Sequence, residues 1–417
     1  MKIKLGYGKT EQTLEIEERN VTNILRANEI SNLVDENKCI EDSLDNPIGS
    51  KKIDEIISPD EKIVIITSDI TRPVPSYKIL PNIINRLRKA GVSDENITIV
   101  FALGSHRKQT QQEMKDLVGK EIYDNFNCVD SDADDVIMLG FTSAKTPVKI
   151  TRTVVEADRR ICIGNIEFHY FAGYSGGAKA IMPGCSTNEA IQCNHSKMTS
   201  HLSIAGNLNK NPVREDLEEA IKFCNIDFIV NVILDEKKNI IDCVSGHFIK
   251  AHREGCKLLD GMYKRNISEK SDIVIVSQGG YPKDINLYQT QKALDNAKNA
   301  VKDGGIIILI GECKEGFGND KFEDWMMGHE RPDDIISDIE KNFELGGHKA
   351  AAIALVQKRA KIYLVSDFPD EIVEKMHMKS FQSVQEAYNN AKNYFENPSV
   401  TIMPYGGSTL PELIIKN

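Results

Sequence analysis

Residues 169–184, HYFAGYSGGAKAIMPG, combine side chains that could do chemistry with glycines that could shape a ligand site. The segment GYSGG (173–177) fits the G-x-S-x-G pattern of a hydrolase nucleophile elbow, in which the serine stands on a turn joining a strand directly to a helix. Here the preceding strand-like run ends near Gly164, about ten residues before Ser175, and no glycine-rich oxyanion motif precedes it. Serine hydrolysis at Ser175 therefore stays open only as an alternative.

The same glycines suit a different kind of site. Gly173, Gly176 and Gly177 would let the backbone approach a ligand closely, and the N–H groups of such a turn favour phosphate. Lys179 would then stand beside a nucleotide-like group, although the segment is not a Walker A motif. The competing interpretation is a tight loop that carries a surface lysine.

Two histidines, His106 and His169, each follow a strand-like run. Imidazole can act as acid or base near neutral pH, and a racemase needs such a group on each face of the carbon that it inverts. The C2 hydrogen of a 2-hydroxy acid is too weakly acidic for histidine to remove directly. Removal of the hydroxyl proton while C2 loses a hydride is easier, provided that a cofactor accepts the hydride. No G-x-G-x-x-G motif follows a strand, so NAD is not indicated.

A further pair, His195 and His201, lies six residues apart, which is not the i, i+4 spacing of a zinc-type helical pair. One of them could still be a single metal ligand that completes a site supplied mainly by a cofactor. Imidazole suits nickel, copper and zinc alike, so the spacing does not select the metal.

A third group of polar residues, Tyr288, Gln289 and Lys292, opens a helix after the strand-like run 272–277. Tyr288 and Lys292 are i and i+4 and would project from one face. This pair could hold a carboxylate, or it could be a solvated first turn of the helix.

The elements that position these residues alternate between short β-branched runs and longer segments of helical period, which predicts parallel sheets with crossover helices. The predicted strands are 62–67, 97–102, 160–164, 228–234, 272–277, 305–310, 361–366 and 399–404. The predicted helices are 76–90, 212–224, 250–263, 286–301 and 347–360. The N-terminal stretch predicts an amphipathic hairpin. We therefore predict an α/β protein of two domains, 1–268 and 269–417, each a largely parallel sheet, with the active site in the cleft between them.

The amino-acid composition limits the classes of partner that the protein can bind. The chain of 417 residues has 62 acidic and 52 basic side chains, a net charge of -10, and no basic tract. These features exclude a typical nucleic-acid or anionic-membrane partner and leave small-molecule anions open. The longest apolar runs are too short to span a bilayer. Nine cysteines without a C-x-x-C pair indicate a reducing, cytoplasmic location.

Taken together, the segments SDITRPVP, ALGSHR, HYFAGYSGGAKAIMPG, NHSKM, GNLNKNPVREDLEE and LYQTQKAL resemble the nickel-pincer lactate racemase family, in the same order and over about residues 1–410. The resemblance implies a nickel-pincer nucleotide, Ni(II)-pyridinium-bisthiocarboxylate mononucleotide, which other enzymes must synthesise and supply. It implies that Lys179 forms a thioamide tether to this cofactor and that His195 supplies the remaining nickel ligand. His106 and His169 match the acid/base pair. The matching cofactor and substrate contacts are Asp69, Ile70, Thr71, Arg72, Tyr288, Gln289 and Lys292.

The implied reaction inverts C2 of a 2-hydroxy acid. One histidine takes the hydroxyl proton as hydride leaves C2 for the pincer ring, and hydride then returns to the other face of the 2-keto acid, with Arg72 and Lys292 holding the carboxylate. The family pattern places a tryptophan near the substrate where this chain has Ala350, Ala351 and Ala352, which favours larger or more polar substrates than lactate. A serine hydrolase based on Ser175 and a non-catalytic nickel or nucleotide carrier are the alternatives.

Overall fold

A computed structural model describes residues 1–28, 34–72, 74–235, 237–341 and 343–414, and the chain divides into two compact units. Ile30–Gly261 forms one, the inserted unit. Met1–Glu29 together with Met262–Asn417 forms the other, the terminal unit. Along the described parts of the chain, no helix is both long enough and apolar enough to cross a membrane.

The strands, in chain order, are β1 (Lys2–Tyr7), β2 (Thr10–Glu15), β3 (Val21–Ile24), β4 (Ile63–Ser68), β5 (Ile97–Ala102), β6 (Asn127–Asp130), β7 (Val136–Phe141), β8 (Pro147–Thr151), β9 (Arg159–Asn165), β10 (Phe168–His169), β11 (Gly173–Tyr174), β12 (Phe228–Leu234), β13 (Ile240–Gly246), β14 (Lys264–Ile267), β15 (Ser271–Ser277), β16 (Val301–Ile310), β17 (Lys361–Val365), β18 (Lys379–Phe381), β19 (Val400–Met403) and β20 (Leu410–Leu413). The α-helices are α1 (Glu36–Asp45), α2 (Ile53–Ile56), α3 (Ser76–Lys89), α4 (Gln111–Val118), α5 (Lys120–Asn125), α6 (Arg152–Val155), α7 (Asn188–His195), α8 (Pro212–Ala220), α9 (Lys250–Tyr263), α10 (Leu287–Ala297), α11 (Asp320–Gly328), α12 (Pro332–Lys341), α13 (Gly347–Gln357), α14 (Asp370–Lys375) and α15 (Val384–Ala391).

The inserted unit is built on a six-stranded sheet in the order β13-β12-β9-β4-β5-β6. Every neighbouring pair is parallel except β12 with β13. The strand β4 is a continuous apolar run, as expected for a parallel strand that is covered on both faces. Helix α3 is amphipathic and packs Ile79, Ile83 and Leu87 into the core on one side of this sheet.

The terminal unit has a second six-stranded sheet, in the order β18-β17-β16-β15-β19-β3, and all its pairs are parallel. The N-terminal hairpin of β1 and β2 is antiparallel and buries Leu5 and Leu14 in the core of this unit. Alternating apolar and polar residues give the hairpin one buried and one exposed face. The sequence-based predictions of an α/β fold, of two largely parallel sheets and of this hairpin are therefore confirmed.

The division of the chain differs from the predicted one, which assigned residues 1–268 to a single domain. Residues 1–28 lie in the terminal unit because β3 pairs with β19, with Val21 opposite Val400, and because β1 and β2 pack on the second sheet. A pairing between residues so far apart in sequence leaves no local pattern that could predict it.

Candidate functional site

The loops that follow β4, β5 and β9 carry most of the predicted site residues. These strands are parallel neighbours in the inserted unit, in the order β9-β4-β5, so their carboxyl ends share one edge of the sheet. This edge is where ligands bind in open α/β sheets. The structure thus brings together, within one unit, the predicted residues that come from three separate parts of the sequence.

The first group is an Asp–Thr–His cluster. The buried carboxylate of Asp69 bonds to Nδ1 of His106 at 2.5 Å and accepts the hydroxyl hydrogen of Thr71 at 2.8 Å. Although burial by itself raises the pKa of Asp69, its hydrogen bonds with His106 and Thr71 hold that pKa below its usual value. An ionised carboxylate can only accept, so Nδ1 of His106 carries the hydrogen. The neutral ring therefore has its lone pair on Nε2.

Ile70 and Arg72 complete this loop. The backbone N–H of Ile70 donates to the side chain of Gln109, and that of Arg72 donates to the Asp69 carbonyl. The Arg72 side chain is exposed, and its positive charge is close enough to lower the pKa values of His169 and Lys179.

The second histidine, His169, lies on the short strand β10, which pairs with β11. Its Nδ1 accepts the backbone N–H of Ala172 at 3.2 Å, so the neutral ring carries its hydrogen on Nε2. Burial, followed by the positive charge of Lys179, lowers the pKa of His169 well below its ordinary value. In their neutral forms, His106 thus has a lone pair on Nε2, whereas His169 has an N–H on Nε2.

Three of the predicted residues lie around the ring of Phe171. Its centroid lies 4.5 Å from that of His169 and 4.8 Å from that of His195, and the Lys179 ammonium nitrogen is 6.0 Å from it. Phe171 is 2% exposed. His169, Lys179 and His195 therefore lie around one buried aromatic side chain.

Lys179 has an unusual environment for a lysine. It follows the glycine pair on a short 3₁₀ turn, Gly177–Ala180. Burial of the amine, with the positive charges of Arg214 and Arg72 nearby, lowers its pKa well below the ordinary value. A larger fraction of Lys179 is consequently the neutral amine, which is the nucleophilic form.

His195 is the last residue of α7 and is 8% exposed. Its Nδ1 lies 2.9 Å from the side-chain oxygen of the preceding residue, Asn194. The other predicted candidate, His201, is exposed on a turn beyond the helix. Within the ranges that the structure describes, no group of three or more His, Cys, Asp or Glu side chains could hold a metal ion. The role of His195 as a single metal ligand beside a cofactor stays a prediction.

Ser175, the candidate nucleophile, has a structural role in the loop. Its hydroxyl donates to the carbonyl of Asn165 at 2.7 Å and accepts the backbone N–H of Glu167 at 2.9 Å. Ser175 follows the two-residue strand β11 and precedes the short 3₁₀ turn Gly177–Ala180, not an α-helix. This local geometry differs from that of a nucleophile elbow.

Side chains that the sequence did not single out donate hydrogen bonds to the backbone of residues 171–175. Their nitrogen atoms donate to loop carbonyls, from Asn211 to Phe171, from Arg214 to Ala172 and Tyr174, and from His252 to Ser175. Arg214 is completely buried on α8. In the sequence it looks like an ordinary charged residue in the first turn of a helix, and only the fold shows that it is inside.

The backbone amides of the glycine turn are largely committed to the protein. The N–H of Gly177 donates to Oδ1 of Asn231 at 2.8 Å, and those of Tyr174, Ser175 and Lys179 donate to backbone carbonyls. The expectation that this turn offers its amides to a phosphate is therefore not supported at these four positions.

The remaining predicted residues, Tyr288, Gln289 and Lys292, lie on α10 in the terminal unit. The Asn286 side chain caps this helix by accepting the N–H of Gln289. The Tyr288 ring lies 4.8 Å from the ammonium nitrogen of Lys349, a buried lysine that the sequence did not single out. The predicted strand–loop–helix context is confirmed, and the substrate roles of these residues stay a prediction.

The three alanines that replace the expected tryptophan lie on α13. Ala350, Ala351 and Ala352 are at most 3% exposed, so they are packed inside the terminal unit. Whether they widen a substrate site, as the sequence suggested, stays a prediction.

Comparison with known proteins gives a consistent result over both halves of the chain. The model of the lactate racemase N-terminal domain matches residues 7–206, and that of the lactate racemase C-terminal domain matches residues 267–410. The lactate racemase of Thermoanaerobacterium thermosaccharolyticum is 34% identical over 98% of this chain and 98% of its own. The lactate racemase of Lactiplantibacillus plantarum is 33% identical over 97% of this chain and 98% of its own.

Solved structures agree with this result. The lactate racemase apoprotein from Thermoanaerobacterium thermosaccharolyticum superposes with a TM-score of 0.93 at 32% identity and covers 99% of this chain and 100% of its own. A protein from Thermotoga maritima has a TM-score of 0.67 at 18% identity over 91% of this chain and 98% of its own, which shows a shared fold.

Proposed function

The chain belongs to the lactate racemase family of isomerases, and we propose that it inverts C2 of a 2-hydroxy acid, either lactate or a related and larger one. The observation that carries this proposal is the arrangement at one sheet edge, where an Asp69-backed His106 and the cluster of His169, Lys179 and His195 around Phe171 occur in one unit.

His106 has the hydrogen-bond arrangement of a general base. The Asp69 carboxylate keeps the ring hydrogen on Nδ1 and stabilises the positive charge that forms when Nε2 accepts a proton. We propose that this nitrogen takes the hydroxyl proton of the enantiomer that presents its oxygen to His106.

His169 is the partner on the other face. In its neutral form it can donate a hydrogen bond from Nε2 to the oxygen at C2, because Nδ1 accepts the N–H of Ala172. To take a proton at Nε2 instead, the ring must move its hydrogen to Nδ1 and release Ala172. The direction of the reaction in which His169 accepts a proton thus requires this change in the β10–β11 hairpin, whereas the direction in which it donates does not.

The substrate carboxylate needs a cation. Arg72 is exposed after β4, and its guanidinium can bind a carboxylate in a bidentate manner. We propose that Arg72 has this role, and we retain Tyr288, Gln289 and Lys292 as proposed substrate ligands because the resemblance assigns them.

The donor set fits a nickel-pincer nucleotide. When bound, this cofactor would accept hydride from C2 and return it. Lys179 would hold it through a thioamide, which requires the neutral amine that the lowered pKa favours. His195 would supply one imidazole to nickel, and Asp69, Ile70, Thr71 and Arg72 would contact the nucleotide. The positive charge of Arg72 suits its phosphate.

The proposal is tested on protein produced together with the enzymes that make the cofactor. We expect a mass increase at Lys179 and about one nickel per chain. Lys179→Met should lose the mass increase, whereas the matched surface variant Lys149→Met, whose ammonium pairs with Glu189, should keep it. Absence of both added mass and nickel from the wild-type protein would refute the proposed cofactor.

Activity separates the proposal from its two alternatives. His106→Ala and His169→Ala should each abolish racemisation of 2-hydroxy acids and still retain nickel. If both variants racemise at the wild-type rate, the two-histidine mechanism is wrong. A nickel or nucleotide carrier would bind the metal without racemising any 2-hydroxy acid, and a serine hydrolase would be labelled at Ser175 by a fluorophosphonate probe.

A further inference from the structure

We propose that Asn194 and Asp216 are positioning residues that fix His195 in one tautomer, with its lone pair on Nε2, the atom that would bind nickel. This inference rests on the proposed function for the identity of the metal. The hydrogen-bond geometry that supports it lies entirely within the inserted unit and needs no cofactor.

The Asn194 amide has a single orientation that satisfies its neighbours. Its Nδ2 donates to the carbonyl of Val213 at 3.1 Å and to Oδ2 of Asp216 at 2.7 Å. Both amide hydrogens are thereby used, and both partners can only accept. The side chain is completely buried, so rotation would place the amide oxygen against two acceptors without compensation by water.

With Nδ2 engaged in this way, Oδ1 of Asn194 must face His195. It lies 2.9 Å from Nδ1 of the ring. An amide oxygen accepts and never donates, so Nδ1 of His195 carries the hydrogen. The neutral ring then has its lone pair on Nε2, and the contact with Phe171 holds the ring plane.

The network ends in a buried carboxylate. Oδ1 of Asp216 accepts the Thr142 hydroxyl at 2.5 Å, and Oδ2 accepts the Thr146 hydroxyl at 2.7 Å and lies 3.2 Å from the Lys197 ammonium. Although burial raises the pKa of Asp216, the hydrogen bonds from Thr142, Asn194 and Thr146 hold it below its ordinary value. A negative charge therefore stands behind the amide that orients the imidazole.

The arrangement has the form that metal-binding histidines take in other proteins. There the nitrogen that does not bind the metal donates to a carboxylate or carbonyl, which sets the tautomer and increases the basicity of the metal-binding nitrogen. In this chain, the amide of Asn194 connects the histidine to the carboxylate. The structure thus provides an oriented ligand before any metal arrives.

The direct test is the tautomer itself, measured in the full-length apoprotein by long-range ¹H–¹⁵N NMR with ¹⁵N-labelled histidine. The chain has nine histidines, and His195→Gln assigns the signal that matters. We expect the hydrogen of His195 on Nδ1. A wild-type protein that carries it on Nε2 would overturn the inference without any variant.

Two matched variants show which side chain sets the tautomer. Asn194→Leu removes the acceptor with little change in volume and should raise the ratio of the Nε2–H to the Nδ1–H form roughly fivefold. Thr142→Val removes a bond to the other oxygen of Asp216, leaves Asn194 unchanged, and should keep the wild-type ratio. An equal shift in both variants would mean general loosening of the core and would overturn the assignment.

Nickel retention connects the tautomer to the metal. In cofactor-loaded protein exposed to a chelator, Asn194→Leu should lose nickel about 10-fold or more faster than wild type and Thr142→Val, in line with the loss of a partner behind a metal ligand. Equal rates in all three proteins would overturn the inference. If wild type takes up no nickel, the proposed function fails, whereas the NMR result still decides the orientation of His195.

Discussion

The Asp69–His106 pair leads to a quantitative prediction for Asp69→Asn, a change that keeps the shape of the side chain and removes its charge. A hydrogen bond to a charged group contributes about 1.5–3 kcal/mol, and each 1.4 kcal/mol is a factor of about ten in rate. The lost stabilisation of protonated His106 should therefore lower kcat roughly 10- to 100-fold. Thr71 adds to the effect, because its hydroxyl already donates to Oδ1 and leaves the new amide N–H₂ facing the imidazole. That orientation selects the tautomer without a lone pair on Nε2.

The assay is the initial rate of racemisation per bound nickel, in both directions, with kcat and KM separated. KM should change little, since Asp69 bonds to His106 and Thr71, and the proposed carboxylate ligand is Arg72. Asp116→Asn is the control, because it removes an exposed carboxylate of α4 that accepts a hydrogen bond from Gln112 on the same helix. A kcat for Asp69→Asn within about twofold of wild type, at equal nickel content, would refute the role given to this carboxylate.

Three further predictions concern the loop that carries Lys179. The lowered pKa of Lys179 means that the folded state binds fewer protons than the unfolded state, so the free energy of unfolding rises with pH toward the ordinary lysine pKa. Lys179→Met should remove this slope and stabilise the apoprotein at neutral pH, as measured by denaturation across pH. Arg214→Met leaves two buried carbonyl oxygens without their hydrogen-bond donor and should lower the free energy of unfolding in urea by about 3 kcal/mol. The exposed control Arg107→Met should lower it by less than about 1 kcal/mol. Gly173→Ala should lower the free energy of unfolding by more than about 2 kcal/mol, because φ is +78° and the new Cβ would lie 2.3 Å from a backbone oxygen. Gly328→Ala, whose new Cβ would have no described atom within 4 Å, should not destabilise the protein.

The parallel sheets could be predicted from the sequence because buried strands are continuous β-branched runs. The runs 97–102 and 228–234 coincide with β5 and β12, and the helix 250–263 coincides with α9. Elements with weaker periodicity were missed, among them the hairpin of β7 and β8 and the short helices α4 and α5. Local patterns also could not place β3, whose half-buried four residues acquire their strand character from a partner far along the chain.

The candidate site was predictable where titratable side chains follow strands, as for His106 and His169. The surrounding residues Phe171, Arg214 and Asn194 were not predictable, since what distinguishes them is their burial and, for Arg214 and Asn194, the direction of their hydrogen bonds. In a sequence, an asparagine before a histidine is an ordinary helix residue. The role proposed for Asn194 depends on the residues that accept its two amide hydrogens, and both lie on α8, a different element.

The pairing of Val21 with Val400 also has a consequence for how the protein is made. The strands β1, β2 and β3 leave the ribosome before the inserted unit, but the strand that pairs with β3, β19, is synthesised some 380 residues later. At about 5–20 residues per second this delay is on the order of 20–80 s. The inserted unit can fold during that time. The β1–β2 hairpin, with its apolar Leu5 and Leu14, meanwhile lacks the sheet that it packs against. We therefore expect nascent chains to expose the apolar face of this hairpin until β19 is synthesised, and to depend on chaperones that bind apolar segments.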